Sequence, residues 1–202
     1  MLLSLLFQNP LLFLLVVAAL ILSLSVHEFA HAYTADRLGD STARYLGRLT
    51  LNPLAHLDPL GTLLLVVAGF GWGKPVPYNP ANLRNPARDG ALIAFAGPFS
   101  NFALALLATL FIKLLPMQSL FSAFFYLVVL YNLVLGFFNL IPVFPLDGYN
   151  IVSGILPWNL RAQWVQMASF GSIILLILVL TRTTSVILDP LINFSLRLLG
   201  LG

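Results

Sequence analysis

The chain has 202 residues, 59% of them hydrophobic and 8% charged, and ten Lys and Arg against seven Asp and Glu leave a net charge of +3. Soluble domains carry about 25% charged residues, so this composition excludes an ordinary soluble enzyme and indicates an integral membrane protein, read as one membrane-embedded unit over 1–202. The bases lie in loops between apolar runs, which marks membrane topology rather than nucleic-acid binding, and the absence of Cys excludes disulfides and thiolate metal ligands.

Asn9-Pro10 separates a short apolar lead from the first strong helix, expected over about Leu11 to Leu38. No basic residue precedes Arg37, so a cleavable signal peptide is not expected. From Leu11 to Val26 this helix has no charge and two serines, and then comes His27-Glu28-Phe29-Ala30-His31, an HExxH motif. Residues four apart share a helical face, so His27 and His31 can present imidazole nitrogens to one Zn²⁺, with Glu28 placed as general base for a metal-bound water. Ionisable groups in so apolar a segment are costly to keep in lipid and mark a functional site.

Residues 39–56 form a polar connection with Arg44 and Arg48. Asp58-Pro59 has the form of a helix N-cap with Pro at the first helical position. The apolar run it opens ends by Gly69-Phe70-Gly71, too short to span alone. Residues 72–86 are rich in Gly, Pro and Asn around an extended Lys74-Pro75-Val76-Pro77. Long helices are expected over about Arg88 to Leu115 and Ser119 to Leu140, then a Pro-broken stretch to Gly148 and a shorter apolar run to Leu156. Helices over about Val165 to Leu180 and Ser185 to Leu199 close the chain, giving a core of about 11–156 and C-terminal helices within 165–200.

If 59–71 is a re-entrant hairpin, the arginine loops at 37–48 and 74–88 lie on one face, cytoplasmic by the positive-inside rule. The helices from 88 and 119 then cross out and back, so residue 141 emerges beside the end of the first helix. Sixteen residues before His27 rise about 24 Å through a hydrocarbon core of about 30 Å. HExxH and the region after Leu140 therefore share a depth near the cytoplasmic side.

Catalytic zinc usually takes three protein ligands and leaves one position for water. Glu28 is the only glutamate, and position 37 is Arg rather than His. The remaining candidates are Asp36, Asp40, Asp58, Asp89, Asp147, Asp189 and His56. Asp36 and Asp40 are loop residues, Asp58 and Asp189 precede Pro as caps, and Asp89 opens a helix. Asp147 alone lies in an apolar, Pro/Gly-shaped segment returned to the depth of HExxH, so it is the chosen third ligand, with His56 next in line.

These residues resemble a known family. Asn139-Leu140-Ile141-Pro142-Val143-Phe144-Pro145-Leu146-Asp147-Gly148 is similar to the NxxPxxPLDG motif of site-2 proteases, the intramembrane zinc metalloproteases of peptidase family M50. Ala96-Gly97-Pro98-Phe99-Ser100-Asn101 resembles the family's GPxxN segment, and Leu51 to Pro59 and Gly73 to Pro80 resemble its small bacterial and archaeal branch, which lacks PDZ and CBS modules. The resemblance implies one Zn²⁺ per chain on His27, His31 and Asp147, Glu28 as base, and Asn139 holding the substrate carbonyl or its oxyanion. It also implies a membrane-associated β-like loop over 72–80, where Lys74, Pro75, Val76 and Pro77 would bind an unwound substrate as an added strand. Asn101 and His56 are further candidates for lining the substrate site, although Asn101 also suits a hydrogen bond between helices and Gly97 close helix packing. Arg44 and Arg48 read as topology determinants.

The expected molecule is thus an all-α polytopic membrane protein with about four to six transmembrane helices, a re-entrant segment and a short β-like loop. It is expected in the plasma membrane of a prokaryote, cleaving transmembrane or membrane-anchored protein substrates within the bilayer. A metal transporter is the less favoured reading, because no repeated half or matched pair of broken helices is found. An inactive relative that only binds membrane proteins is disfavoured by the intact HExxH and Asp147.

Overall fold

In the computed structural model, residues 2–68, 71–116 and 119–202 are described. The elements are helical: α1 (Leu2–Gln8), α2 (Pro10–Arg37), α3 (Thr42–Tyr45), α4 (Pro59–Ala68), α5 (Pro86–Leu114), α6 (Leu120–Asn139), α7 (Asp147–Ile155), α8 (Trp158–Leu180) and α9 (Thr183–Leu198). Four of them, α2, α5, α6 and α8, are long and apolar enough to cross a membrane. The protein is an all-α polytopic membrane protein.

Local chemistry sets most boundaries. Asn9 Oδ1 accepts from Leu12 N–H at 3.0 Å, with Pro10 in the first turn of α2. Asp58 Oδ1 accepts from Gly61 N–H at 2.8 Å, so the expected cap is present. Asn85 caps α5, which therefore starts at Pro86, and Asp89 in its first turn accepts from Asn85 N–H at 2.8 Å. Ser119 caps α6 through Ser122 N–H at 3.0 Å. Side-chain oxygens satisfy helix-start N–H groups that lipid could not.

Two expectations are corrected at the C-terminal end. Helix α8 starts at Trp158, seven positions before the expected 165, because Pro157 ends the preceding turn and serves as its extended N-cap. Asp189 is no cap: Asp189-Pro190 lies inside α9, which opens after Arg182, a left-handed residue at φ 58° that turns the chain sharply out of α8.

The core lies between α2, α5 and α6, where small residues let the backbones approach: Ala19, Ala105 and Ala108 are buried against Val128, Val129 and Leu133. A Cβ on Gly136 would come closer than 3.0 Å to the Phe102 ring. Helix α7 packs on α5, where Gly154 lies against Ala87 and Ala91. Outward faces stay apolar, as at Leu107, Phe121, Phe170 and Ile173, which suits hydrocarbon and not water.

Helix α4 is a 10-residue helix of about 15 Å, too short to span. Just beyond it the chain is again at the start of α4, since a Cβ on Gly61 would clash with the Trp72 carbonyl. This is the return expected of a re-entrant hairpin, although Gly69 and Phe70, where the apolar run was expected to end, fall outside the described residues. The two arginine loops do share a face. Asp40 accepts from Asn79 N–H and from Asn82 Nδ2, both at 2.7 Å, stitching the end of α2 to the loop before α5. Leu57 and Gly73 form an isolated antiparallel bridge, and among the described residues no longer strand forms.

Candidate metal centre

Helical spacing puts His27 and His31 one turn apart on α2, with both imidazoles buried. Helix α5 runs antiparallel behind them and supplies three features at four-residue intervals. The Ile93 carbonyl lies 2.7 Å from His31 Nδ1, and Asn101 Oδ1 lies 2.6 Å from His27 Nδ1. Between them, Gly97 passes so close that a Cβ there would meet both rings at less than 3.0 Å. The α5 backbone can back the two imidazoles only because that position has no side chain.

Asp147 arrives from the other side. The chain leaves α6 through a tight Pro-containing turn, with Val143 N–H bonded to Ile141 O and Leu146 N–H to Val143 O, and Asp147 opens α7. A Cβ on Gly148 would strike the Leu140 and Ile141 carbonyls, so glycine lets the start of α7 sit against the end of α6. Asp147 Oδ2 then lies 3.1 Å from His27 Nε2 and 3.4 Å from His31 Nε2, and the two Nε2 atoms are 3.0 Å apart.

This triangle is built for a cation. The Nδ1 atoms face oxygen acceptors, so each neutral ring carries its hydrogen on Nδ1 and turns an Nε2 lone pair inward. Asp147 Oδ2 is buried without a hydrogen-bond partner. Three lone pairs facing one another at this range repel unless a positive charge sits among them. Zinc–nitrogen and zinc–oxygen bonds of about 2.0–2.2 Å in tetrahedral geometry hold neighbouring donors about 3.3 Å apart, close to the observed spacings. Two imidazoles and a carboxylate also make a catalytic rather than a closed structural donor set. Among the described residues, this is the group of potential ligands that converges.

Glu28 follows His27 and is buried. Its charge acts on Arg48, a buried guanidinium whose pKa burial lowers while Glu28 opposes the fall. Arg48 Nη2 donates to the Lys74 carbonyl at 2.5 Å, and Lys74 N–H donates to the His56 carbonyl at 2.8 Å. The extended Lys74-Pro75-Val76-Pro77 segment is thereby tied to the loop after α3, with Gly73 just before it lying against Leu24 of α2 and with Lys74, Pro75 and Pro77 exposed.

The other candidates fall elsewhere. His56 is fully buried, its Nε2 bonded to the Thr50 carbonyl at 2.7 Å, and it does not join the cluster. Asn101 makes the hydrogen bonds between helices that its place on α5 suggested: it is fully buried, with Oδ1 facing His27 and Nδ2 donating to Asn132. Asn139 ends α6 and donates Nδ2 to the Leu135 carbonyl at 3.0 Å. Asp36 pairs with Arg44 and accepts from Ser41. Sequence reasoning missed the inward role of Arg48 and passed over Ser23 and Asn132. Isolated polar residues in apolar helices were the signal for the last two.

Comparison with known proteins agrees with this chemistry. Residues 113–180 match the model of "Peptidase family M50". The chain is 44% identical over 186 residues to "Putative zinc metalloprotease YwhC" of Bacillus subtilis, covering 88% of this chain and 85% of that protein. It is 32% identical over 179 residues to "Putative zinc metalloprotease Rip2" of Mycolicibacterium smegmatis, covering 84% and 68%. With "Zinc metalloprotease MJ0392" of Methanocaldococcus jannaschii it shares 28% identity over 138 residues, 68% of this chain and 33% of that protein. No solved structure matches.

Proposed function

The chain belongs to peptidase family M50, and from that membership we propose that this zinc metalloprotease hydrolyses peptide bonds of transmembrane or membrane-anchored proteins within the bilayer. The observation that carries the reading is the triangle of two buried histidines on the membrane-spanning α2 and the half-buried Asp147 at the start of α7, with Glu28 one residue from the first ligand. These three side chains would hold one Zn²⁺, which when bound supplies Lewis acidity to the scissile carbonyl and to the attacking water.

The protein's own groups do the rest. Glu28 takes the proton of the attacking water on its carboxylate and passes it to the leaving amide nitrogen as the C–N bond breaks. Asn139, at the mouth of the turn that delivers Asp147, binds the substrate carbonyl as it gains negative charge. A helical substrate shields its peptide bonds, so the scissile segment must unwind. The extended 74–77 segment takes it as a neighbouring strand through backbone pairing.

Arginines on the face shared by the two tied loops support a cytoplasmic orientation for the site, and bacterial and archaeal relatives support the plasma membrane of a prokaryote. The test is cleavage of a single-span peptide in proteoliposomes by purified protein. Glu28→Gln is expected to keep its zinc and lose cleavage by at least 10³-fold, roughly the contribution of a general base together with its proton return. Cleavage at the wild-type rate by Glu28→Gln would refute the mechanism.

A further inference from the structure

Ser23 on α2, Asn101 on α5 and Asn132 on α6 meet in the three-helix core with no exposed surface. We propose that Asn132 is a positioning residue for the metal centre, acting through Asn101 to fix the tautomer of His27. The proposal rests on His27 being a zinc ligand.

An Asn amide has a donor end and an acceptor end of nearly equal shape, so its orientation must be fixed by its neighbours. Here the polarity is anchored on backbone carbonyls, which can only accept. Asn132 Nδ2 donates to the Val128 carbonyl at 2.8 Å. Ser23 Oγ spends its hydrogen on the Ala19 carbonyl at 2.7 Å, so it accepts the second Asn132 hydrogen, also at 2.7 Å. With both hydrogens committed, Asn132 turns Oδ1 to Asn101, which must answer with Nδ2, at 2.7 Å. The other Asn101 hydrogen points to the Ser23 carbonyl at 3.3 Å. What remains for His27 Nδ1 is Asn101 Oδ1, at 2.6 Å.

An acceptor at that position requires hydrogen on Nδ1 and frees the Nε2 lone pair for the cluster. A reversed Asn101 would offer N–H to Nδ1 and favour the other tautomer, with hydrogen on Nε2 where a metal bond belongs. Asn132 thus selects the ligating form of His27 without touching it.

Polar contacts between membrane helices also hold bundles together, and a purely cohesive role would change stability while leaving metal affinity alone. The experiment separates the two. Zinc affinity is measured by chelator competition on the full chain in detergent, alongside the thermal midpoint of the metal-free protein, for wild type, Asn101→Leu, Asn132→Leu and the double variant. Loss of an outer-shell partner lowers metal affinity by about 10- to 100-fold. Asn101→Leu is expected in that range and Asn132→Leu near its lower end. The double variant should be no weaker than Asn101→Leu alone, because the two act in series.

Unchanged zinc affinity in Asn132→Leu, whatever its midpoint, overturns the proposal, and so does an additive double variant. If Asn132→Leu does not fold, Ser23→Ala removes one acceptor of Asn132 and runs the same cycle. A loss of a few-fold that vanishes in the Asn101→Leu background supports the relay, and no loss overturns it. A wild-type protein that binds no zinc removes the metal assignment itself, whereas tight zinc binding indifferent to Asn132 removes the relay alone.

Discussion

Arg48 places Nη2 2.5 Å from the carbonyl oxygen of Lys74, 26 positions along the chain, and so ties the loop after α3 to the extended segment over 74–77. The guanidinium is buried and its Nε has no partner of its own. A charge is kept in such a place when it has work to do.

Cutting this tether should weaken substrate capture more than chemistry. A hydrogen bond from a charged donor is worth about 1.5–3 kcal/mol, so Arg48→Met should raise KM for a single-span peptide by about tenfold or more, with a smaller effect on kcat. Steady-state cleavage in proteoliposomes separates the two constants. A fall in kcat at constant KM would instead assign Arg48 to Glu28.

The ligand set makes a contrast between two residues that sequence reasoning ranked first and second as third ligand. Asp147→Ala should lose the bound zinc, as should His31→Ala. His56→Ala should retain about one zinc per chain, because its ring is bonded to Thr50 away from the cluster. Metal analysis of detergent-purified protein gives the answer directly. Full occupancy in Asp147→Ala would mean that the triangle has been misread.

Gly97→Ala adds one methyl group where both imidazoles already sit within 3.0 Å of its position. Overpacking of this kind costs about 1–3 kcal/mol, and here the strain falls on the ligands. The variant should remain helical by circular dichroism yet bind zinc at least tenfold more weakly. Wild-type zinc affinity in Gly97→Ala would show that α5 can move away from the rings.

Asp40 supplies a pH test outside the membrane spans. Burial raises its pKa, but hydrogen bonds from Thr42, Asn82 and Asn79 outweigh that and hold it below its ordinary value of 3.8. Its stabilising contribution is therefore complete above the unfolded-state value and is lost as pH falls from there through the lowered folded-state value. Thermal midpoints in detergent between pH 6 and pH 3 should fall more steeply for wild type than for Asp40→Asn, with the curves converging at the acid end. At pH 6 the variant should be less stable by about 1–3 kcal/mol, since buried donors lose an ionised acceptor. Parallel curves would mean that Asp40 contributes no proton linkage.

What depends on local geometry is legible in the order of the residues. Four-residue spacing put His27 and His31 on one helical face, and side-chain caps beside prolines marked helix starts such as that of α4. Loop charge and span length returned Asp147 to the depth of HExxH, although it lies over a hundred residues away. Tertiary structure decided what depends on helix rotation. Helices α2, α5 and α6 are apolar all round, so periodicity carries little information about which side faces inward, and no pattern in the chain says that Asn132 meets Asn101 or that Arg48 meets Lys74. Those pairings arise only when small residues bring three backbones close enough for a few polar groups, cut off from water, to find one another. The same burial that makes an unpartnered amide costly selects the one arrangement in which the chain from Val128 to His27 is satisfied.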